Sequence, residues 1–152
     1  MDYFKPAFYM DNFLPPMQGF MFPELSQDKL VTAASPQAVM ALINSDDFGA
    51  SVAAAVGEPG KFHEAEIDLA GDALTHPEIA DILSNASGRE ITAAFLSWEE
   101  QEQRRGAPMA DSQVWNNLVG YPACPHHADR YGLTTTTFEQ WAAQQDWTDP
   151  AA

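Results

Sequence analysis

The chain has 152 residues, 45% of them apolar, enough to bury one core of its own and too apolar for wholesale disorder. Its 22 acidic residues against 7 basic ones leave a formal net charge of -15, which repels the phosphate backbone of nucleic acids and anionic lipid alike. No apolar run approaches the roughly 18 to 20 residues of a membrane span, MDYFKPAF lacks the basic and apolar regions of a signal peptide, and the single cysteine, Cys124, excludes an internal disulfide.

The expected protein is soluble and cytoplasmic, with no nucleic-acid or membrane partner. Residues 1–145 form one domain, and 146–152 form a frayed tail. Tyr3 to Met10 carries apolar and aromatic residues on both faces, the pattern of a strand covered on each side. Prolines at 15, 16, 23 and 36 then predict an irregular loop from Leu14 to Pro36. Within it, Phe20, Met21 and Phe22 either plug the loop onto the core or wall a ligand. Val39 to Ile43 is a short apolar strand. After it, Phe48, Val52 and Val56 repeat every four residues behind Asp46 and Asp47, which predicts an amphipathic helix ended by Gly57.

Glu64 to Leu69 alternates as a strand with Ala65, Ile67 and Leu69 inward. The strongest local signal is THPEIADILSNASG, residues 75–88: Thr75 and Glu78 make a capping box, Pro77 suits a first turn, and Ile79, Ile82, Leu83 and Ala86 form one stripe. His76, in that first turn, is expected to face solvent. Glu90 to Leu96 is a further strand, and Ser97 with Glu100 caps an acidic helix to about Arg105. The loop RGAPMAD precedes a helix marked by Val114, Trp115, Leu118 and Val119, and a last helix starts near Thr137 with Phe138 and Trp141 inward. Trp98, Trp115 and Trp141 are read as core residues or ligand walls, with core the expected role, and Trp147 lies in the tail. Alternating strands and helices make the fold α/β, or α+β as a truncated unit, with a helical C-terminal region.

Four stretches in order, KPAFYMDNF, MALINSDDFGASVAAAV, EIDLAGDALTHPEIADILSNASGREI and SWEE, resemble the C-terminal half of the NmrA-like family, atypical relatives of the short-chain dehydrogenases. LTTTTFEQWA is similar to that family's closing helix. The resemblance implies the substrate-side part of an NAD(P)-binding Rossmann protein whose preceding half carries the glycine-rich turn. It also implies that Pro6, Phe8, Asn12 and Phe13 edge the nicotinamide pocket and that Phe20, Met21 and Phe22 wall the substrate. The nine glycines include no G-x-G-x-x-G, and no tyrosine has a lysine four residues on. Without a pyrophosphate site, the same four residues are core aromatics and a helix-capping asparagine.

The expected function is thus the substrate-side half of an NAD(P)-dependent oxidoreductase, unable by itself to bind the dinucleotide or transfer hydride. NADP or NAD is the cofactor of full-length relatives, and none is expected for the isolated chain. The alternatives are a non-catalytic regulatory module that binds a basic protein, and a small cofactor-free isomerase or cyclase. A strand taken out of a larger sheet exposes an apolar edge, so the chain is expected to meet a missing Rossmann half or to form a homo-oligomer. Cys124, His126 and His127 in CPHH contain metal-ligating atoms, but adjacent histidines converge poorly on one ion, and a surface turn without metal is expected. The acids at 46–47 and 99–102 are read as complements to helix dipoles.

Overall fold

The computed structural model describes residues 3–147. In chain order these form β1 (Tyr3–Pro6), β2 (Phe8–Tyr9), α1 (Met17–Met21), β3 (Lys29–Thr32), β4 (Val39–Ile43), α2 (Ser45–Gly57), β5 (Glu66–Leu69), β6 (Asp72–Thr75), α3 (His76–Ser87), β7 (Thr92–Phe95), α4 (Trp98–Arg105), α5 (Ala107–Leu118), α6 (Pro125–Asp129) and α7 (Phe138–Ala142). Short strands pair in three small groups: β1 with β5 in parallel, β2 beside β4 beside β6, and β3 with β7 in parallel. β4 lies parallel to β2 and antiparallel to β6. None of the described helices is long and apolar enough to cross a membrane.

β4 separates two cores because side chains alternate along a strand. Met40 and Leu42 join Phe13, Phe22, Ile79, Leu83, Phe138 and Trp141, whereas Ala41 and Ile43 join Phe62, Ile67 and Leu69 beside α2 and α6. A strand buried on both faces reads as a continuous apolar run, which is how Val39–Ile43 is recognised in the sequence.

Several elements differ from expectation for identifiable reasons. Tyr3 to Met10 is two strands and the start of a 3-10 turn: Ala7 donates to Leu69 and ends the pairing with β5, and the chain then shifts to β4. The region from Leu14 to Pro36 is not an irregular loop. Pro16 precedes α1 and Pro23 opens a 3-10 turn over Pro23–Gln27, where a missing N–H costs little, while Pro36 lies in the turn between β3 and β4. In α2 the Phe48, Val52 and Val56 stripe is not the buried one. Ser51 and Ala55 face the core, and Val56 is 77% exposed, because the helix rests on small residues. α5 begins at Ala107, with Pro108 in its first turn, so RGAPMAD is mostly helical and Leu118 is 82% exposed.

Capping signals locate their helices closely. Thr75 and Ser97 cap through the expected boxes, with Glu78 and Glu100 reaching back, and Thr137 caps the last helix through a further box with Gln140. In α3, Glu78 Oε2 accepts from the Thr75 N–H at 2.8 Å and from its hydroxyl at 2.7 Å. Those bonds hold the Glu78 carboxyl below the usual range. Thr75→Ala should lower stability by about 1 kcal/mol, read as a shift in urea midpoint at constant slope. Of the anticipated frayed tail, residues 148–152 lie outside the described residues, while Trp147 packs edge-on against Trp141 and donates to the Ala142 carbonyl at 2.8 Å.

Candidate functional site

The sheet presents one side to α5, and three amide side chains fasten that helix across it. Gln113 Oε1 accepts from the Ala33 N–H at 2.8 Å, Asn117 Oδ1 accepts from the Ser35 N–H at 2.6 Å, and Asn116 Nδ2 donates to the Val39 carbonyl at 3.2 Å. Backbone amides between β3 and β4 are thereby satisfied by a helix distant in sequence. Beneath α5 lies a cavity of about 170 Å³. Phe8, Met21, Phe22 and Met40 line it from the strand and loop layer, and Met109, Trp115 and Tyr121 line it from α5 and the segment that follows.

Among the polar residues on this wall, Thr32, His76, Ser112, Gln113, Asn116 and Tyr121, His76 is the most unusual. It is 1% exposed, and neither ring nitrogen has a hydrogen-bond partner within the protein. Burial pushes its pKa down to about 4, so the imidazole is neutral at pH 7. This corrects the expectation of a solvent-facing residue: β6 pairs with β4 and runs straight into the capping box, so the first residue of α3 falls against the sheet. Asn116 Oδ1 is likewise buried without a partner. The Tyr121 hydroxyl is held neutral, its pKa raised by burial.

Of the residues singled out from the sequence, Phe8, Met21 and Phe22 meet at this cavity. Phe20 does not line it; the residue is 62% exposed, its ring under the Arg105 guanidinium at 5.7 Å and its carbonyl accepting from the same group. Pro6 is half-buried at the end of β1, opposite Leu69. Asn12 lies inside the 3-10 turn Met10–Phe13, which has Tyr9 at its cap, so it does not cap a helix. Phe13 is 1% exposed, stacked on Phe22 at 4.8 Å and edge-on to Phe138 at 5.2 Å. Trp115 is a cavity wall and not a core residue, while Trp98 ties α4 to α5 by donating to Asp111 Oδ1 at 2.8 Å.

The remaining polar clusters have structural employment. CPHH forms the start of α6 instead of a turn, with His126 near Asp129 at 3.3 Å and His127 near the Asp68 carbonyl at 3.2 Å. Among the described residues no group of three or more His, Cys, Asp or Glu side chains is placed to hold a metal ion. Asp47 does more than complement a helix dipole: it accepts from the Thr136 N–H at 2.5 Å and hydroxyl at 3.1 Å.

A dinucleotide needs backbone amides that approach its pyrophosphate closely. The glycines with positive φ, at 88, 106, 120 and 132, are scattered among helix ends and turns, and no two form a phosphate-cradling turn. Of Pro6, Phe8, Asn12 and Phe13, Phe8 alone presents a surface to the cavity, and Phe13 is sealed in the core. Among the described residues, Phe8 offers an apolar face at the cavity, and no pair of these glycines shapes a turn for a pyrophosphate.

The architecture is mixed α/β with Rossmann-like neighbours. A family model described as the NmrA-like family matches residues 2–141, and the chain belongs to that family. A nucleoside-diphosphate-sugar epimerase from Staphylococcus aureus is 23% identical, with a TM-score of 0.75 over 93% of this chain and 51% of its own. The triphenylmethane reductase of Citrobacter sp. complexed with NADP(H) is 16% identical, with a TM-score of 0.72 over 95% of this chain and 53% of its own. The NADPH-dependent quinone oxidoreductase of Escherichia coli complexed with NADPH is 22% identical, with a TM-score of 0.71 over 94% and 53%. At these identities the likeness is one of fold, and the chain spans about half the length of each structure. No curated protein matches the sequence.

Proposed function

We propose that this chain is the substrate-side half of an NAD(P)-dependent reductase and that it neither holds a dinucleotide nor transfers hydride alone. The observation that carries the reading is the neutral, apolar cavity of Phe8, Met21, Phe22 and Trp115, with no phosphate cradle among the described residues. The family match over residues 2–141 supports it, as does coverage of half of each NADP(H)-bound neighbour. The cofactor supplies hydride, and this chain's share is to exclude water and to orient a ring-bearing substrate against Phe8.

The nucleotide-binding polypeptide docks along β1. That strand is bonded to β5 on one edge, and its Phe4 shares an apolar groove with Val52, Val56 and Pro59. NADPH titrated into the purified chain should leave nicotinamide fluorescence unchanged. Fusing the nucleotide-binding half of the Escherichia coli quinone oxidoreductase ahead of Tyr3 should restore both NADPH binding and turnover of a ring-bearing acceptor. Saturable NADPH binding by the chain alone would overturn the reading. A fusion that binds NADPH and reduces no acceptor would favour a regulatory, non-catalytic module.

A further inference from the structure

We infer that the cavity takes a neutral, mono- or bicyclic hydroxyarene whose ring hydroxyl hydrogen-bonds to His76. The inference rests on reading this cavity as the substrate site and specifies the substrate class. At about 170 Å³ the cavity slightly exceeds an apolar cavity of about 150 Å³ that holds benzene, so one or two fused rings fill it. Phe8, Phe22 and Trp115 supply faces and edges for a planar ring.

The polar inventory selects the substituent. Three buried atoms on the wall lack a protein partner: both ring nitrogens of His76 and Oδ1 of Asn116. A neutral imidazole offers one N–H and one lone pair, so His76 and Asn116 present one open donor and two open acceptors, beside the Tyr121 hydroxyl on the same wall. Thr32 Oγ1 and Gln113 Oε1, on the same wall, already accept from Ala34 and Ala33. A ketone or quinone brings acceptors only and would leave the wall's acceptors buried and unsatisfied. A hydroxyl donates to the lone-pair nitrogen of the imidazole, which a carbonyl oxygen cannot do; the two ring nitrogens point apart, so one group meets one of them. Carboxylates and phosphates are disfavoured, because the wall carries no cationic side chain and the chain as a whole is at -15.

The probes are 2-naphthol, naphthalene and 2-naphthoate, titrated into the purified chain without cofactor and followed by tryptophan fluorescence and calorimetry. The wild-type chain should bind 2-naphthol about tenfold tighter than naphthalene, the worth of one buried hydrogen bond, and should not bind 2-naphthoate. His76→Phe should keep naphthalene and bring 2-naphthol to parity with it, while His76→Gln, which retains a donor and an acceptor, should restore part of the preference. Equal binding of 2-naphthol and naphthalene to the wild-type chain would overturn the hydroxyarene assignment and leave the cavity as an arene site. An unchanged preference in His76→Phe would overturn the role of His76. If none of the three binds, the substrate-site reading falls with the inference; failed turnover in the NADPH fusion would touch neither result.

Discussion

Gly71→Ala is expected to lower stability by about 3 kcal/mol or more. Gly71 lies between β5 and β6, where its N–H donates to the Leu42 carbonyl at 2.7 Å. A Cβ built there would fall far inside the contact distance to the Thr136 carbonyl oxygen and 3.2 Å from its carbon. The obstacle is backbone, and that backbone is pinned. Thr136 is held twice by Asp47, and the Phe138 N–H donates to Asp72 Oδ2 at 2.9 Å. Making room for the methyl therefore means lifting the start of α7, which draws Phe138 and Trp141 out of the larger core. Urea unfolding and near-ultraviolet dichroism would register both changes. Gly49→Ala is the control: a Cβ on that residue of α2 meets nothing, so it should raise stability by up to about 1 kcal/mol. Equal effects of the two substitutions would sink the account of the 135–138 segment as a keyed fit.

Capped helices were legible because their signals are local. Thr75, Glu78 and Pro77, or Ser97 and Glu100, act on backbone groups within three residues, and their consequences do not depend on the rest of the chain. Two of the four-residue strands were not legible. β3 and β6 have four residues each, and only their pairing with β7 and β4 makes them strands. For α2, the sequence favours Val52 and Val56 as the inward stripe by hydrophobicity, yet the contact uses Ser51 and Ala55, since what fits under a helix depends on the space its neighbours leave.

The cavity was half legible. Phe8, Met21 and Phe22 stood out as apolar residues in stretches resembling the family, but the opposite wall arrives with α5, whose attachment depends on Gln113, Asn116 and Asn117 reaching main-chain groups some 80 residues earlier. His76 was hidden for a related reason. A histidine after an N-cap faces water when the helix begins in a loop, and faces the core when it begins at the end of a paired strand. Recognition of β6 would have placed it.

Acidification should expose that histidine through stability. The His76 pKa is about 4 folded against an ordinary 6.5, so between those values the unfolded chain takes up a proton that the folded chain refuses. Its contribution is therefore intact above pH 6.5 and is lost as the pH falls toward 4, reaching about 3 kcal/mol when both states are protonated. Burial alone drives the shift: Tyr121 is the only other titratable side chain on the cavity wall, and Glu78 of the same helix is committed to Thr75. The fifteen excess acidic charges act in the opposite direction, since their protonation relieves repulsion in the compact state. Comparison with His76→Phe separates the two, because that variant keeps every carboxylate and removes the imidazole. The wild-type chain should lose stability relative to His76→Phe as the pH falls from 7 to 4, with most of the divergence below 6.5. Parallel stability curves for the two proteins would mean that the imidazole is solvated in the folded chain, and the cavity would then lack the dry polar end on which its selectivity depends.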